Sequence, residues 1–380
     1  MNWEAIIRQT GALEWALIGG FLASLLYQSG LYLFLYLRLP RYTPPEKRKT
    51  KKPVSVIICA KNEEENLRKF LPRVLEQDYP DFEVVVVNDA STDQTEDLLA
   101  ELSARFPRLR YTHLPVNEKF THGKKLALTI GLKAARHEHV VLTDADCYPV
   151  TDQWLQQMAS RLNKNTKIVL GYGGYEQKKG LLNLVIRYET AFTALQYFSH
   201  ALSGRPYMGV GRNLAYHASL FFDNKGFAGH YHLASGDDDL FVNQHATGQN
   251  TAVVTHREAH TRSVPESSWK GWIHQKQRHL SAGAHYKRAS RVRLGIEYAT
   301  RILLYSTLLI LCVISPWKYF VLGLFCMGLV TRLLVLKMAM RSLDEKYLLL
   351  PSLLLDFALP LVLGIIWFSR IFVTKYQQWN

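Results

Sequence analysis

The sequence predicts an α/β fold: a mostly parallel sheet in the middle of the chain, flanked by membrane-spanning helices. Three observations predict it. Short β-branched runs alternate with helix-patterned segments from Pro53 to about Ser290, long uncharged stretches lie towards both ends, and Lys/Arg clusters border those stretches. The chain has 380 residues, enough for one large domain or two ordinary ones. With 48% hydrophobic and 21% charged residues, it is neither disordered nor wholly embedded in lipid. The formal net charge is +14, from 46 Lys+Arg against 32 Asp+Glu, and points to an anionic partner such as a phosphate-bearing substrate or anionic lipid. No nucleic-acid-binding module accompanies that charge, so no nucleic-acid partner is expected. Cys59, Cys147, Cys312 and Cys326 form no C-x-x-C pair. A reducing compartment, with neither structural disulfide nor zinc site, is therefore expected.

Trp15 to Leu37, "WALIGGFLASLLYQSGLYLFLYL", carries no charge and exceeds the roughly 20 residues that cross a bilayer. No basic region precedes it and no small-residue cleavage site follows, which favours an anchor over a cleaved signal. The segment "RLPRYTPPEKRKTKKP" comes next, and its basic excess places that side in the cytoplasm. Residues 1–40 are thus read as an anchor with its N-terminus outside, and 41–52 as a basic linker.

The middle region, 53–290, follows. "VSVIICA", "FEVVVVNDA" and "HVVLTDAD" suit fully buried parallel strands. Helices are expected between them at Glu63 to Glu76, Gln94 to Arg105 and Lys124 to Ala135. Gly180 to Gly204 has apolar residues at 181, 185, 188, 192 and 195, which fits a helix in the membrane interface or in a core. In the last region, 291–380, Ile302 to Leu336 is broken by "SPWKY" and by Arg332. It reads as a hairpin of two short spans or a re-entrant pair. Tyr347 to Ser369 is a further span, for four in all, with three as the alternative count. Asp356 within it is either a functional membrane carboxylate or a partnered structural residue.

Ligands of open parallel sheets bind at the carboxyl ends of the strands, and the polar clusters of this chain sit there. Strand one runs into "AKNEEENL", strand two into "NDASTDQT", strand three into "TDADCYP", and "THGKKLAL" opens a helix before strand three. Neither a Walker A loop nor a G-x-G-x-x-G fingerprint is present. Asp89, Ser91, Thr92 and Asp93 could serve only to cap the helix that follows them, and Glu63 to Glu65 only to favour a helix N-terminus through its dipole. Asp144 and Asp146 repel each other at a strand end, and their chemistry suits a hard divalent cation, Mg²⁺ or Mn²⁺. The histidines from His200 to His285 show no zinc spacing; His256 or His260 could complete the metal shell, though the plainer reading is that neither does.

"VSVIICAKNEEENL", "VVVVNDASTDQT", "GKKLAL" and "TDAD" together resemble the nucleotide-sugar half of glycosyltransferase family 2 over roughly Pro53 to Pro149. The resemblance implies the Rossmann-like GT-A fold and a sugar diphosphonucleotide donor, by likeness a UDP-sugar; the basic segments beside the spans put this catalytic domain on the cytoplasmic side. It implies that Lys61, Asn62, Glu63 and Asp89 line the nucleotide pocket, with Asp89 facing the base and Lys124 near the phosphates. It makes Asp144 and Asp146 the DxD motif, Asp146 the surer metal contact. "YMGVGRNLAYH" is similar to the family's strand before the acceptor region. "ASGDDDLFVNQ" is similar to its acidic motif, where Asp238 would be the catalytic base and Asp237 the preceding residue; a slip of one would choose Asp237 or Asp239.

"WKGWIHQKQRHL" resembles the QxxRW signature of membrane-embedded members such as cellulose, chitin and hyaluronan synthases and ceramide glucosyltransferase. Helical spacing puts Trp272, Gln275, Arg278 and His279 on one face. Gln275 and Arg278 would then serve the donor, and Trp272 and His279 the acceptor. His279 stands where the signature has tryptophan, which puts stacking on an acceptor sugar in doubt. A basic helix on lipid headgroups is the plainer alternative. The expected activity is an inverting, metal-dependent sugar transfer to a membrane lipid or growing polysaccharide, in a multi-pass membrane protein. So few spans for a processive channel suggest a homo-oligomer or other export subunits. The reading from another class is a catalytically silent, nucleotide-binding membrane scaffold.

Overall fold

The computed structural model describes residues 11–45, 49–115, 123–233 and 235–369. The chain divides into two units, one formed by its first 42 residues with 288–365, the other centred on 43–287.

The second unit is built on a seven-stranded sheet. β1 (Val54–Ala60) and β2 (Phe82–Asp89) are buried at every position, as strands covered on both faces must be. They pair in parallel from Val54↔Phe82 to Ala60↔Asn88. β3 (Leu109–Leu114) extends the sheet beyond β2, and β4 (His139–Leu142) pairs with the other edge of β1, both in parallel. β5 (Cys147–Pro149), β6 (Ile168–Leu170), β7 (Gly173–Tyr175), β8 (Leu214–His217), β9 (Thr251–Val253) and β10 (Thr261–Ser263) follow. The order in the main sheet is β3-β2-β1-β4-β8-β6-β9, with β8 antiparallel to both neighbours. A second, three-stranded sheet has the order β5-β10-β7, with β10 antiparallel to β5 and parallel to β7.

The helices Glu64–Leu75, Thr95–Arg105 and Lys124–Ala134 connect these strands, within a residue or so of the expected bounds. Gly131 has a packing reason: a Cβ there would lie 2.6 Å from Ile57 Cγ2, so glycine lets its helix settle on β1. The helix Leu181–Leu202 buries Val185, Tyr188, Phe192 and Leu195, and also Asn183, Arg187 and His200. It is a core helix. The interfacial alternative fails because the polar residues that should face water are buried as well.

The first unit holds helices Ala12–Gly30, Arg288–Ile314, Lys318–Ser342 and Leu349–Ser369. Together with the first helix's continuation to Arg41, all four are long and apolar enough to cross a membrane. The expected hairpin of short spans is thus two helices of 27 and 25 residues, parted at Pro316. Leu31–Tyr36 is a π-helical turn that carries the buried Tyr32 and Tyr36. These residues edge a buried charge cluster. Arg332 pairs with Asp356 at 3.0 Å, Arg301 with Asp356 at 3.4 Å and with Glu297 at 2.9 Å. The Tyr305 hydroxyl donates to Asp356 at 2.6 Å, and that of Tyr36 to Glu297 at 2.5 Å. Two guanidiniums balance two carboxylates, so Asp356 is a partnered residue.

Candidate active site

The acidic loops meet at the carboxyl ends of β1, β2 and β4. After β1, Asn62 turns the chain at φ 54, and after β2 Ala90 does so at φ 53. The two turns brace each other. Asn62 N donates to Ser91 Oγ at 2.9 Å, Thr92 N to Asn62 Oδ1 at 2.8 Å, Glu63 N to Thr95 Oγ1 at 3.1 Å and Glu64 N to Asp93 Oδ2 at 3.2 Å. Ser91 and Thr92 thus tie the two loops together rather than cap the helix that follows, while Asp93 Oδ1 accepts from Thr95 N at 3.0 Å at the start of that helix. Asp89 ends β2 fully buried, and Lys61 is half-buried at the end of β1. Burial, and then the charges of Asp146 and Asp144, push the Glu63 carboxyl up to about 7 against the hydrogen bond from Asn66. That coupling brings Glu63 and the two loop aspartates within one electrostatic neighbourhood.

Asp144 and Asp146 follow β4 directly. The small sheet sets their surroundings, since β10 pairs with β5 through Ser263↔Cys147. Ser263 Oγ donates to Asp146 Oδ2 at 2.6 Å, and Cys147 Sγ to Asp146 Oδ1 at 3.3 Å. Burial and then Asp144 raise the Asp146 carboxyl, the signature of two acids without enough compensating charge. Ligand atoms of Asp144, Asp146 and Cys147 all lie within 4.8 Å of one another, the only such group among the described residues. Two hard oxygen donors whose mutual repulsion a dication would relieve fit Mg²⁺ or Mn²⁺. His260 instead packs edge-on against Tyr172 with centroids 5.1 Å apart, and is not part of this group.

Lys124 joins this group to a second row of acids. Its Nζ donates to Asp144 Oδ1 at 2.7 Å and lies 3.3 Å from Asp237 Oδ2. Desolvation opposes its charge, but Asp144, Asp237 and Asp238 outweigh it and hold Lys124 well above its ordinary range. Asp238 caps the helix Asp239–His245: its Oδ1 accepts from Asp239 N at 2.7 Å and its Oδ2 from Gly211 N at 2.6 Å. A Cβ on Gly211 would stand 3.3 Å from that Oδ2 and 3.4 Å from Lys124 Nζ, so glycine keeps the gap between them. Asp239 accepts from the Tyr286 hydroxyl at 2.6 Å.

Three adjacent acids do not ionise alike. Burial raises Asp237, but Lys124 and then Arg278 bring it below the ordinary range. Burial and then Asp237 push Asp238 up to about 6; burial and then Asp238 push Asp239 up to about 8. Asp237 and Asp239 are buried, while Asp238 keeps part of its surface open.

The helix Trp269–Gly283 supplies the remaining expected residues. Arg278 is close enough to bias Asp237, and His279 lies among Lys276, Arg278, Arg212 and Lys124. His279 keeps an exposed edge, yet desolvation by the protein around it and then those four cations hold its imidazole well below its ordinary range. That direction leaves the imidazole neutral near pH 7. Lys276 fixes the helix to Leu181–Leu202 by a 2.5 Å ion pair with Glu189. Trp272 departs from expectation. It is 1% exposed and packs edge-on to Trp269 at 5.8 Å, so its ring offers no face to an acceptor. Trp272 Nε1 and Gln275 Oε1 are buried without a hydrogen-bond partner among the described residues.

Sequence reasoning missed Arg212 and Cys147. The Arg212 guanidinium lies 4.3 Å from the Tyr175 ring centroid, with Nη1 buried and unpartnered; although burial opposes its charge, Tyr175, Cys147, Asp146 and Asp144 hold it raised. Its only signal was a cation in the "VGRNLAYH" stretch beside the acids.

Comparison with known proteins agrees with this geometry. Residues 55–222 match Glycosyl transferase family 2, and residues 139–335 match Glycosyl transferase family group 2. A poly-beta-1,6-N-acetyl-D-glucosamine synthase of Staphylococcus epidermidis is 30% identical over 140 residues, 36% of this chain and 32% of that protein. A beta-monoglucosyldiacylglycerol synthase of Nostoc is 32% identical over 118 residues, 30% of this chain and 25% of that one. An uncharacterized glycosyltransferase of Haemophilus influenzae is 29% identical over 144 residues, 38% of this chain and 41% of that one. The match thus spans well under half the length of each of these relatives. In structure, a mannosyltransferase of Pyrobaculum calidifontis, solved with GDP-Man and Mn²⁺, superposes with a TM-score of 0.57 at 20% identity, over 90% of this chain and 98% of that one. This likeness shows the GT-A fold.

Proposed function

The chain belongs to the family 2 glycosyltransferases, and from that premise we propose that it transfers a sugar, with inversion, from a nucleoside-diphosphate donor to a hydroxyl of a membrane lipid or growing polysaccharide. The observation that carries this reading is Lys124, which touches Asp144 on one side and Asp237 on the other. One ammonium thereby spans the acids of a donor site and the acids of a base.

Lys61, Asn62, Glu63 and Asp89 line the nucleotide end of the cleft, and a uridine donor is the favoured one. Arg278 offers a planar fork to the diphosphate, with Gln275 beside it and Lys124 as a point charge. Asp238 takes the proton of the acceptor hydroxyl as the acceptor oxygen bonds to the anomeric carbon and the bond to the diphosphate breaks on the opposite face. The departing diphosphate carries away the electron pair. Asp237, kept ionised by Lys124, has no spare basicity for that task. Asp144 and Asp146 would hold a divalent ion, which when bound supplies positive charge to offset the negative charge growing on the leaving group. His279 offers a ring nitrogen where an acceptor would lie. The basic segments bordering the apolar helices favour the cytoplasmic side for this unit. With four candidate spans, self-association or export subunits would complete any channel.

The direct experiment measures nucleoside diphosphate release across a donor panel, in native membranes with total lipids as acceptor. No release with any donor would leave the silent scaffold as the better reading. Exhaustive chelation is expected to stop turnover, and Mn²⁺ or Mg²⁺ to restore it; full activity after chelation would remove the metal from this account. Arg278→Lys keeps the charge but loses the fork. It is expected to leave membrane association intact and to cut turnover at least about tenfold, or about 1.4 kcal/mol of barrier. Unchanged kinetics would instead assign this helix to lipid headgroups, which respond mainly to charge.

A further inference from the structure

The dipeptide Lys124–Lys125 opens one helix, but its two side chains diverge. Lys124 enters the ring of acids, whereas Lys125 is buried at 6% exposure and forms no carboxylate ion pair among the described residues. Its Nζ donates to two backbone carbonyls, His230 O at 2.6 Å and Leu233 O at 2.9 Å. Both belong to the segment that runs into the acidic row. The same segment is tied to itself a few residues on, because His230 Nε2 lies 3.0 Å from Gly236 O. Burial and then Lys125 lower His230 to about 4, so the ring is neutral and its Nε2–H donates to that carbonyl. Gly236 then turns at φ 102, and a Cβ there would lie 3.0 Å from Leu240 Cβ. The chain passes directly into Asp237, Asp238 and Asp239.

We propose that Lys125 is a positioning residue for the proposed transfer, holding the Asp237–Asp239 row in place by its two bonds to the carbonyls of His230 and Leu233. The inference rests on the reading of that row as the base side of the site. A buried ammonium that spends its donors on carbonyls has a specific use for them, because a buried cation is otherwise costly. Desolvation lowers Lys125 to about 8, against the raising effect of Asp237, Asp239 and Asp238, so the charge is retained near neutrality. The lysine pair therefore grips the row twice: Lys124 by a carboxylate, Lys125 by the backbone ahead of it. A disturbed row misplaces the base without touching the donor pocket.

The test replaces Lys125 with Met, close in length but without donors, in the full chain in detergent or native membranes. The expected result is a kcat lower by about tenfold to a hundredfold with the donor KM within about twofold. Amide hydrogen exchange is expected to quicken over Gly236–Leu240 and to stay unchanged over β1 and β2. Wild-type kcat and exchange in a folded Lys125→Met protein would overturn the proposal. So would a raised donor KM with unchanged exchange, since that pattern belongs to a donor contact. If Lys125→Met does not fold, Lys125→Gln, which retains a neutral donor, is read by the same measurements. A wild type that transfers no sugar would instead refute the functional reading, while the exchange comparison would still report on the clamp.

Discussion

Asp238→Asn lowers sugar transfer by about two to four orders of magnitude while nucleotide binding persists, if the carboxylate is the general base. Asparagine suits the comparison, because it is also a good helix cap and keeps one oxygen for the two N–H groups of Gly211 and Asp239. Fold integrity is checked by thermal unfolding beside the kinetics. The wild-type pH profile gives a second reading. Burial and then Asp237 raise Asp238 to about 6, so its basic form is full above that value and is lost as the pH falls through it. On the acid side, kcat/KM is expected to drop about tenfold per pH unit below about 6, the limit for one essential base. Near wild-type transfer by Asp238→Asn, together with a dead Asp237→Asn, would move the base to Asp237.

In the apolar unit, Asp356→Ala is expected to destabilise the helical bundle by about 3–5 kcal/mol, the cost of breaking a buried pair from one side. Asp356 answers both Arg332 and Arg301, and the Tyr305 hydroxyl as well. Its removal leaves Arg332, 2% exposed, without a carboxylate. Unfolding followed in mild detergent should report the loss. The double change Asp356→Leu with Arg332→Met should recover much of it, since Arg301 retains Glu297 and an apolar pair in that place carries no desolvation penalty. An Asp356→Ala protein as stable as wild type would show that water reaches the cluster.

How much was legible before any coordinates depends on the range of the interaction. β1, β2 and β4 announced themselves because strands buried on both faces need unbroken β-branched runs, and the helices between them break those runs with a different apolar spacing. The acids at the strand ends were legible for the same reason: an open parallel sheet delivers its loops to one edge. β8 was harder to read. Its antiparallel pairing with β4 follows from where the chain returns, which four residues cannot encode. Trp272 was misplaced because helical spacing gives a common face but not what covers it, and here the protein itself covers the ring. Lys125 was invisible, since its partners are carbonyls of residues more than a hundred positions away. Asp356 left two readings open until Arg332 and Arg301 were seen beside it.

The same return of β8 has a consequence during synthesis. β1, β2, β3 and β4 lie within the first 142 residues, so their parallel core can assemble while the rest of the chain is still being made. Its β4 edge stays open until Leu214–His217 emerges, roughly 70 residues later, a delay of about 4–14 s at common elongation rates of 5–20 residues per second. Through that interval an apolar strand offers unpaired amides and carbonyls to any neighbouring nascent chain. Crowded polysomes making this protein would therefore be prone to join at β4. Mutations that slow the appearance of β8, or weaken its hold on β4, should lower soluble yield well before they alter the activity of the molecules that do mature.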